Sequence, residues 1–562
     1  MKYVIIGAVA GGASTAARLR RLNEKAEIVI FEKGEFISYA NCGLPYYIGD
    51  VIKDRNALFV QTASAFNKRF NIDVRTLTEV IGIDTQTKTI TARNQTTGKE
   101  YTETYDKLVL SPGAEPIRPP LTGIGLEGIF TLRNVSDTDY IKAFVKQASV
   151  KKAVVIGGGF IGLEMAENLH ALGMDVSIIE MGNQILAPLD FPLAAMVQEH
   201  IRSKGVNLML SSAVEGFEKT NSGLRVMLKG GEALEADVVI MSIGVKPDTK
   251  LAVNAGLKLG DARGIWVNEF LQTSNPDIYA VGDAVEFTNP ITHQSMNTYL
   301  AGPANKQGRI CANNIVLGNK QAYHGAINTA IVKVFDLTVA TAGTASKHLA
   351  KAGIKHLVST THSGSHAGYY PGAKQMSIQI AFAPEDGTLL NAQIVGYDGV
   401  DKRIDTLSSA IARGSSIYEL TEFEHAYAPP FSSAKDPINM AGFVAENILQ
   451  GRLSVFYWNE LDRVNPEDIL LDVRTQKEFE SGHINTAVNI PVDEIRARLN
   501  ELDTSKTIYI YCQAGLRGYL AQRILKQNEF DKVFNLSGGY QLWKACERET
   551  ELGKKKESGF YA

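Results

Sequence analysis

At 562 residues, 44% of them apolar and 21% charged, the chain is too long for one hydrophobic core and has the make-up of a globular protein of about three or four domains. Its net charge of −3 offers no basic face to nucleic acid or an anionic membrane, and no stretch reaches the roughly 20 unbroken apolar residues of a membrane-spanning helix. Four cysteines, Cys42, Cys311, Cys512 and Cys546, are too few for a disulfide framework, so a reducing, cytoplasmic setting is expected and each thiol is a candidate for chemistry.

The chain opens on an apolar strand, KYVII, that runs into GAVAGGASTAARLRRL. Lys2, the apolar run and the small residues after it resemble a secretory signal. The run is short, however, broken by Gly7, Gly11 and Gly12, and leads into a basic helix, so a buried strand turning into a helix explains it better. A second apolar strand, EIVIF, ends at Glu32, 25 residues after Gly7. The design recurs 150 residues on: AVVI, a turn at Gly157, Gly159 and Gly162, a helix, VSII, and Glu180, 23 residues after Gly157. This is the dinucleotide-binding βαβ unit twice. Glycine lets the backbone approach a pyrophosphate, the helix N-terminus supplies N–H groups, and the acid accepts hydrogen bonds from a ribose. The second copy has the full G-x-G-x-x-G; the first has Val9 in place of the middle glycine.

Between the two copies lies SYANCGLPYYIGD, residues 38–50. Pro45 suits the first turn of a helix, which sets Cys42 near a helix N-terminus and is expected to lower its pKa. The next cysteine is Cys311, so a close-spaced redox disulfide is excluded. A single thiol there has two routes: a mixed disulfide with a small thiol, or a sulfenic acid cycle. Strands ending in turns follow at YDKLVLSPGAEP, with Ser111; at VVIMSIGVKPD, with Gly244; and at TSNPDIYAVGDAVE, with Gly282 and Asp283. Residues 322–443 change to alternating strands and a helix, with tyrosines in HAGYYPGA and EHAYAPPFSSAKDPINMAG. A short helix and linker precede a last α/β unit, DILLDVRTQKEFESGHINTAVNIP and TIYIYCQAGLRG. Cys512 ends a strand there and opens a six-residue loop into a helix; such a loop turns its amides inward, and with Arg517 favours a thiolate or anionic persulfide. The charged run ERETELGKKKESG reads as solvated helix or disorder.

Over about its first 440 residues the chain resembles the pyridine nucleotide–disulfide oxidoreductases, and its last hundred resemble a rhodanese domain. SxxNC beside GAVAGGASTAARLRRL resembles the coenzyme A–disulfide reductases, and the whole order matches their rhodanese-containing members. The implied fold is α/β: an FAD-binding Rossmann-like domain (1–112 and 273–321), an NAD(P)H-binding one (113–272), an α+β dimerisation domain (322–446), a linker (447–458) and a rhodanese domain (459–562). The resemblance implies FAD contacts at Gly7, Ala8, Ala10, Gly11, Gly12, Glu32, Lys33, Ser111, Gly282 and Asp283, the last at the ribitol. Nucleotide contacts are implied at Gly157, Gly159, Gly162, Glu180 and Gly244. Glu180 precedes Met-Gly-Asn with no arginine nearby to take a 2′-phosphate, which favours NADH over NADPH.

The implied activity is FAD-dependent reduction by NADH of persulfides, polysulfides or coenzyme A disulfide, with Cys42 paired to coenzyme A and Cys512 carrying sulfur. Implied coenzyme A contacts are Ser14, Arg18, Arg21, Ser38, Asn41 and Lys435; a further family lysine has only Lys68 and Arg69 as nearby substitutes. Arg18 and Arg21 share a helix face. The implied protein is a homodimer in which Tyr369 (or Tyr370) and Tyr427 cross to the partner's active cysteine, where a phenol can protonate a leaving thiolate. Cys311 and Cys546 read as structural. Two alternatives stand beside this. One is an NADH oxidase or peroxidase cycling through Cys42 sulfenic acid, although Ala10 stands where that branch has a histidine. The other is a non-turnover persulfide carrier or sensor.

Overall fold

The computed structural model describes residues 1–221 and 223–557. They form two compact units, Met1–Met181 with Ser212–Asn328 and Gly182–Ser211 with Thr329–Ala562.

The first unit is built on two parallel sheets. In one, the strand Lys2–Ile6 pairs with Glu27–Phe31 on one side and Lys107–Leu110 on the other, extended by Asp73–Arg75 and Ile278–Ala280. In the other, Lys152–Ile156 lies between Asp175–Ile179 and Val238–Met241, with Ile129–Phe130 beyond. Their strands are continuous apolar runs because helices cover them, so nearly every residue is buried. The helices Ala10–Leu22 and Phe160–Ala171 follow the two glycine turns. Smaller antiparallel sheets, Thr78–Asp84 with Thr89–Asn94 and Glu100–Thr104, and Val214–Lys219 with Leu224–Leu228 and Ala233–Ala236, carry the alternating pattern of one-sided burial. The helix Ala301–Leu317 packs along Ala10–Leu22 so closely that a Cβ on Gly308 would lie 2.6 Å from the Gly11 carbonyl oxygen.

The second unit holds a five-stranded antiparallel sheet, in the order Ala330–Val334, Leu337–Gly343, Leu389–Gly396, Gln375–Phe382, Leu357–Gly364, with the helices Val400–Arg413 and Pro437–Leu449. It also holds a parallel sheet in the order Val455–Phe456, Val533–Leu536, Ile508–Tyr511, Ile469–Asp472, Val488–Asn489. Residues 455 and 456, read from sequence as linker, are thus an edge strand of this last sheet. The charged run from Glu547 continues the helix Gly539–Glu557, and it is not simply solvated. Glu549 is buried and accepts hydrogen bonds from Gln198 Nε2 (2.9 Å) and Arg202 Nε (3.1 Å) of the helix Phe191–Ser203, while Arg548 pairs with Glu199 at 2.7 Å. Ser558 and Gly559 of that run lie outside the described residues. Cys546 packs with Ala195 and Ala545. Cys546 and Cys311 are both buried, and burial pushes both thiols up. No described helix is long and apolar enough to cross a membrane.

Candidate functional site

The two glycine turns are built alike. Gly7 has φ +97°, and a Cβ there would lie 2.1 Å from the Ser111 carbonyl oxygen; Gly157 has φ +106° and the same relation to Ser242 at 2.3 Å. Gly12 and Gly162 let their helices close on Gly7 and Gly157, where a Cβ would come within 2.0 Å or less of the carbonyl oxygen. The acids act on the turns: Glu32 accepts from Ala8 N (2.9 Å) and Gly34 N (2.8 Å), and Glu180 from Gly158 N (2.8 Å). Ser111 also lies against Gly11 and Gly282. The first-domain helix begins at Ala10, with Val9 as its N-cap. Gly244, φ +113°, accepts from Ile117 N. Lys33 is exposed and pairs loosely with Glu115 and Asp248.

Both turns suit a dinucleotide. At Gly159 a Cβ would meet no protein atom within 4 Å, so the fold itself does not require glycine there; a pyrophosphate drawn against the backbone does. Ser242, packed against the second turn, keeps a buried hydroxyl without a partner. In the first domain Gly282 N donates to Gln307 Oε1 (2.7 Å), and burial raises the neighbouring Asp283 carboxyl to about 6 against the opposing charge of Arg133.

Cys42 is exposed, in the 3₁₀ turn Asn41–Gly43 ahead of the helix Leu44–Ile48, which carries Pro45 in its first turn as expected. The expected fall in its pKa is overturned. Desolvation by surrounding protein, then the charges of Glu164 and Asp283, raise the thiol, and a five-residue helix has too little dipole to outweigh them. Glu164 comes from the helix Phe160–Ala171; burial, with Glu167 adding, raises it to about 7. Tyr46 Oη lies 3.5 Å from Glu164 Oε1 and is pushed up to about 12, first by burial and then by that carboxylate. No feature of the sequence around Cys42 marks Glu164, which lies 122 residues away.

A cleft of about 310 Å³ opens from Ser38, four residues before Cys42. Ser14, Arg21 and Ser38 of the expected set line it. Arg18 does not; it donates to Asn313 Oδ1 (2.9 Å), and desolvation, Arg309 and Arg21 depress its pKa. Asn41 is exposed beside Cys42. Lys68 and Arg69 are exposed, and their helix, Ala63–Phe70, gives the cleft Phe66 and Phe70 instead. The sequence reading also missed Gln61, Asn305 and Arg309; the last two come from the helix packed on Ala10–Leu22. The cleft therefore has two arginines and two phenylalanines, a lining for an anionic ligand with an apolar part.

In the second unit, Tyr369 and Tyr427 meet hydroxyl to hydroxyl at 2.8 Å, both exposed, while the Tyr370 and His366 rings pack T-shaped. Lys435 is exposed, one residue before the helix cap Asp436. Cys512 is buried at the end of the strand Ile508–Tyr511 and accepts from Gly515 N at 3.0 Å, with the helix Leu516–Lys526 following. Arg517 reaches Cys512 but is not a free cation: it donates to both oxygens of Glu478 at 2.7 Å, and this pairing holds Glu478 down to about 2.

Family models match three stretches: pyridine nucleotide-disulphide oxidoreductase over residues 1–308, its dimerisation domain over 329–437, and a rhodanese-like domain over 457–546. A coenzyme A disulfide reductase of Staphylococcus haemolyticus is 37% identical over 448 residues, which are 80% of this chain and all of the relative. The crystal structure of reduced CoADR-RHD of Bacillus anthracis is 47% identical with a TM-score of 0.95, covering 98% of each chain. A NAD-dependent persulfide reductase of A. fulgidus is 38% identical with a TM-score of 0.91, covering 97% of this chain and all of that one.

Proposed function

The chain belongs to the pyridine nucleotide-disulphide oxidoreductase family, and on that premise we propose that it is an NADH-dependent flavoenzyme that reduces persulfides, polysulfides or coenzyme A disulfide at Cys42. Coenzyme A is the second thiol of the Cys42 redox pair, and Cys512 is a sulfur carrier of the rhodanese type. Residues 1–112 with 273–321 take FAD, 113–272 take NADH, 322–446 form the dimer interface, and 459–562 carry sulfur. The observation that carries this reading is the exposed, solitary thiol of Cys42 beside a cleft lined by Arg21, Arg309, Phe66 and Phe70. The described residues bring it no protein thiol partner: Cys311, the other cysteine of that unit, is buried with its thiol raised.

The first turn, with Gly7, Ala8, Ala10, Gly11, Gly12, Glu32, Lys33, Ser111, Gly282 and Asp283, holds FAD. The second, with Gly157, Gly159, Gly162, Glu180 and Gly244, holds NADH. When bound, FAD supplies the two-electron route from NADH to sulfur. The protein does the rest. Cys42, once deprotonated, attacks the sulfur of the acceptor. Arg21 and Arg309 hold the coenzyme A phosphates, with Ser14, Ser38, Asn41, Arg18 and Lys435 around them. Tyr369 and Tyr427 reach the partner subunit's site and donate a proton to the departing thiolate, which lowers the cost of expelling it. For a persulfide the balance is RSSH + NADH + H⁺ → RSH + H₂S + NAD⁺. At Cys512 the loop amide of Gly515 stabilises anionic sulfur. A reducing cytoplasm spares both residues protein disulfides, leaving Cys42 to pair with coenzyme A and Cys512 to carry sulfur.

The test is Cys42→Ser. Bleaching of the bound flavin by NADH should persist, while NADH consumption with a persulfide or coenzyme A disulfide falls about 100-fold or more. Full persulfide reduction by the variant would overturn the mechanism.

A further inference from the structure

Tyr369 and Tyr427 stand on two different loops. One follows the strand Leu357–Gly364; the other precedes the helix Pro437–Leu449. At 76% and 47% exposure, joined only by one 2.8 Å hydroxyl contact, the phenols do not fix themselves. Under both loops lies Arg403, 1% exposed, from the helix Val400–Arg413. Its Nη2 donates to Ser365 O (3.0 Å), Ser432 Oγ (3.2 Å) and Asp436 Oδ2 (2.9 Å); its Nε donates to Asp436 Oδ1 (3.3 Å) and its Nη1 to Gly399 O (3.0 Å). Ser365 is four residues before Tyr369, and Ser432 five after Tyr427.

The loops are also tied to each other. Ala367 N donates to Ser432 O at 3.0 Å, and Ser432 Oγ donates to Asp436 Oδ2 at 2.6 Å. The guanidinium packs against the backbone at Gly399, where a Cβ would stand 2.3 Å from Nη1. Burying a charge to brace an exposed pair is costly. Asp436 already caps its helix through Ile438 N, which needs no arginine. What the planar fork adds is simultaneous bonding to both tyrosine loops, which a point-like ammonium cannot reproduce.

We infer that Arg403 is a positioning residue that sets Tyr369 against Tyr427 and thereby governs protonation of the leaving thiolate. This rests on the reading of those tyrosines as proton donors given above. Misplacing a reacting group by about 1 Å costs up to about 100-fold in rate, so Arg403→Lys holoenzyme should lose about tenfold or more in turnover with coenzyme A disulfide. Stopped-flow bleaching of its flavin by NADH alone should stay within about twofold of wild type. Ser432→Ala, which removes one arm and keeps the ion pair, should show a smaller loss of the same kind, and it serves as the test where Arg403→Lys does not fold.

In a Tyr369→Phe, Tyr427→Phe background, adding either substitution should change turnover by less than about twofold, because the groups being positioned are gone. An undiminished loss in that background, or a matching fall in flavin bleaching, overturns the inference, since the role is then general stability. A slow tyrosine double variant beside normal Arg403→Lys and Ser432→Ala overturns the positioning role alone. A tyrosine double variant of wild-type rate removes the tyrosine reading, and the positioning role falls with it.

Discussion

Glu164→Gln removes the acid that distinguishes the surroundings of Cys42 from those of an ordinary reactive thiol. Glu164 is raised from 4.5 to about 7 by burial, with Glu167 adding and the Tyr46 hydrogen bond opposing. Its charge is in turn one of the two that raise Cys42. The carboxyl is mostly neutral at pH 6 and mostly charged at pH 8, so its charge is in place where the thiol ionises. Loss of one like charge beside the thiol should lower the Cys42 pKa, towards the level that burial and Asp283 alone set. The assay is iodoacetamide alkylation of Cys42 in the NADH-reduced flavoenzyme across pH 5–10, followed by mass spectrometry of the Cys42 peptide. The variant's midpoint should fall at lower pH than that of wild type. Stability gives a second reading. A carboxyl whose folded pKa is raised contributes stability fully below pH 4.5 and loses it as pH rises through about 7, by at most about 3 kcal/mol. The variant, with no such group, should melt above wild type at pH 8, with the gap closing towards pH 4.5. An unchanged or higher alkylation midpoint, or a melting gap independent of pH, would refute the coupling.

Glu549→Ala should loosen the C-terminal helix, because it leaves the buried Gln198 amide without its acceptor and takes the anion away from the Arg202 guanidinium, which keeps only the Leu208 carbonyl. Loss of one partner of such a pair costs about 2–4 kcal/mol, so hydrogen exchange across residues 539–557 should speed up by more than tenfold; unchanged protection would refute the role. At Glu478 the carboxyl is depressed to about 2 by Arg517. Its contribution is therefore present above pH 4.5 and lost as pH falls towards 2. The pair is roughly a third exposed on each side, so solvent screening reduces the effect to about 1–2 kcal/mol. Wild-type stability, followed by tryptophan fluorescence, should fall between pH 4.5 and 3, and Glu478→Gln should flatten that fall; identical acid curves would count against it.

The two dinucleotide turns and the Cys512 loop were legible because their requirements are local. Gly7, Gly12, Gly157 and Gly162 sit where the backbone itself leaves no room for a Cβ, and a strand, a turn and a helix in succession expose that need in consecutive residues. The Cys42 environment was not legible in the same way. The helix after it was read correctly, but its electrostatics come from Glu164 and Asp283, which only the tertiary fold brings near. The cleft shows the same division: Ser14, Arg21 and Ser38 lie in the motifs, whereas Asn305 and Arg309 arrive through the close packing permitted by Gly308. Composition misread the charged C-terminal run, where one glutamate, Glu549, is buried against the arginine of a helix more than 300 residues earlier.

On the proposed function Cys42 and Cys512 have different tasks, and the two thiols are housed in opposite ways. Cys512 must hold anionic sulfur without releasing it to water. It is buried, takes the Gly515 amide, and is reached by Arg517, whose charge is shared with Glu478, so an amide and a partly neutralised cation face the sulfur. Cys42 must alternate between attacking sulfur and standing aside for a departing thiolate. Its exposure admits the acceptor, and the neighbouring acids keep the free thiolate high in energy, which makes it the better nucleophile once formed because nucleophilicity rises with thiol pKa. A low-pKa cysteine would be more often ionised but a weaker attacker and a better leaving group. The acidic surroundings therefore favour the sulfur–sulfur bond at Cys42 as the resting state, in accord with a thiol whose partner is a bound small molecule rather than a second cysteine.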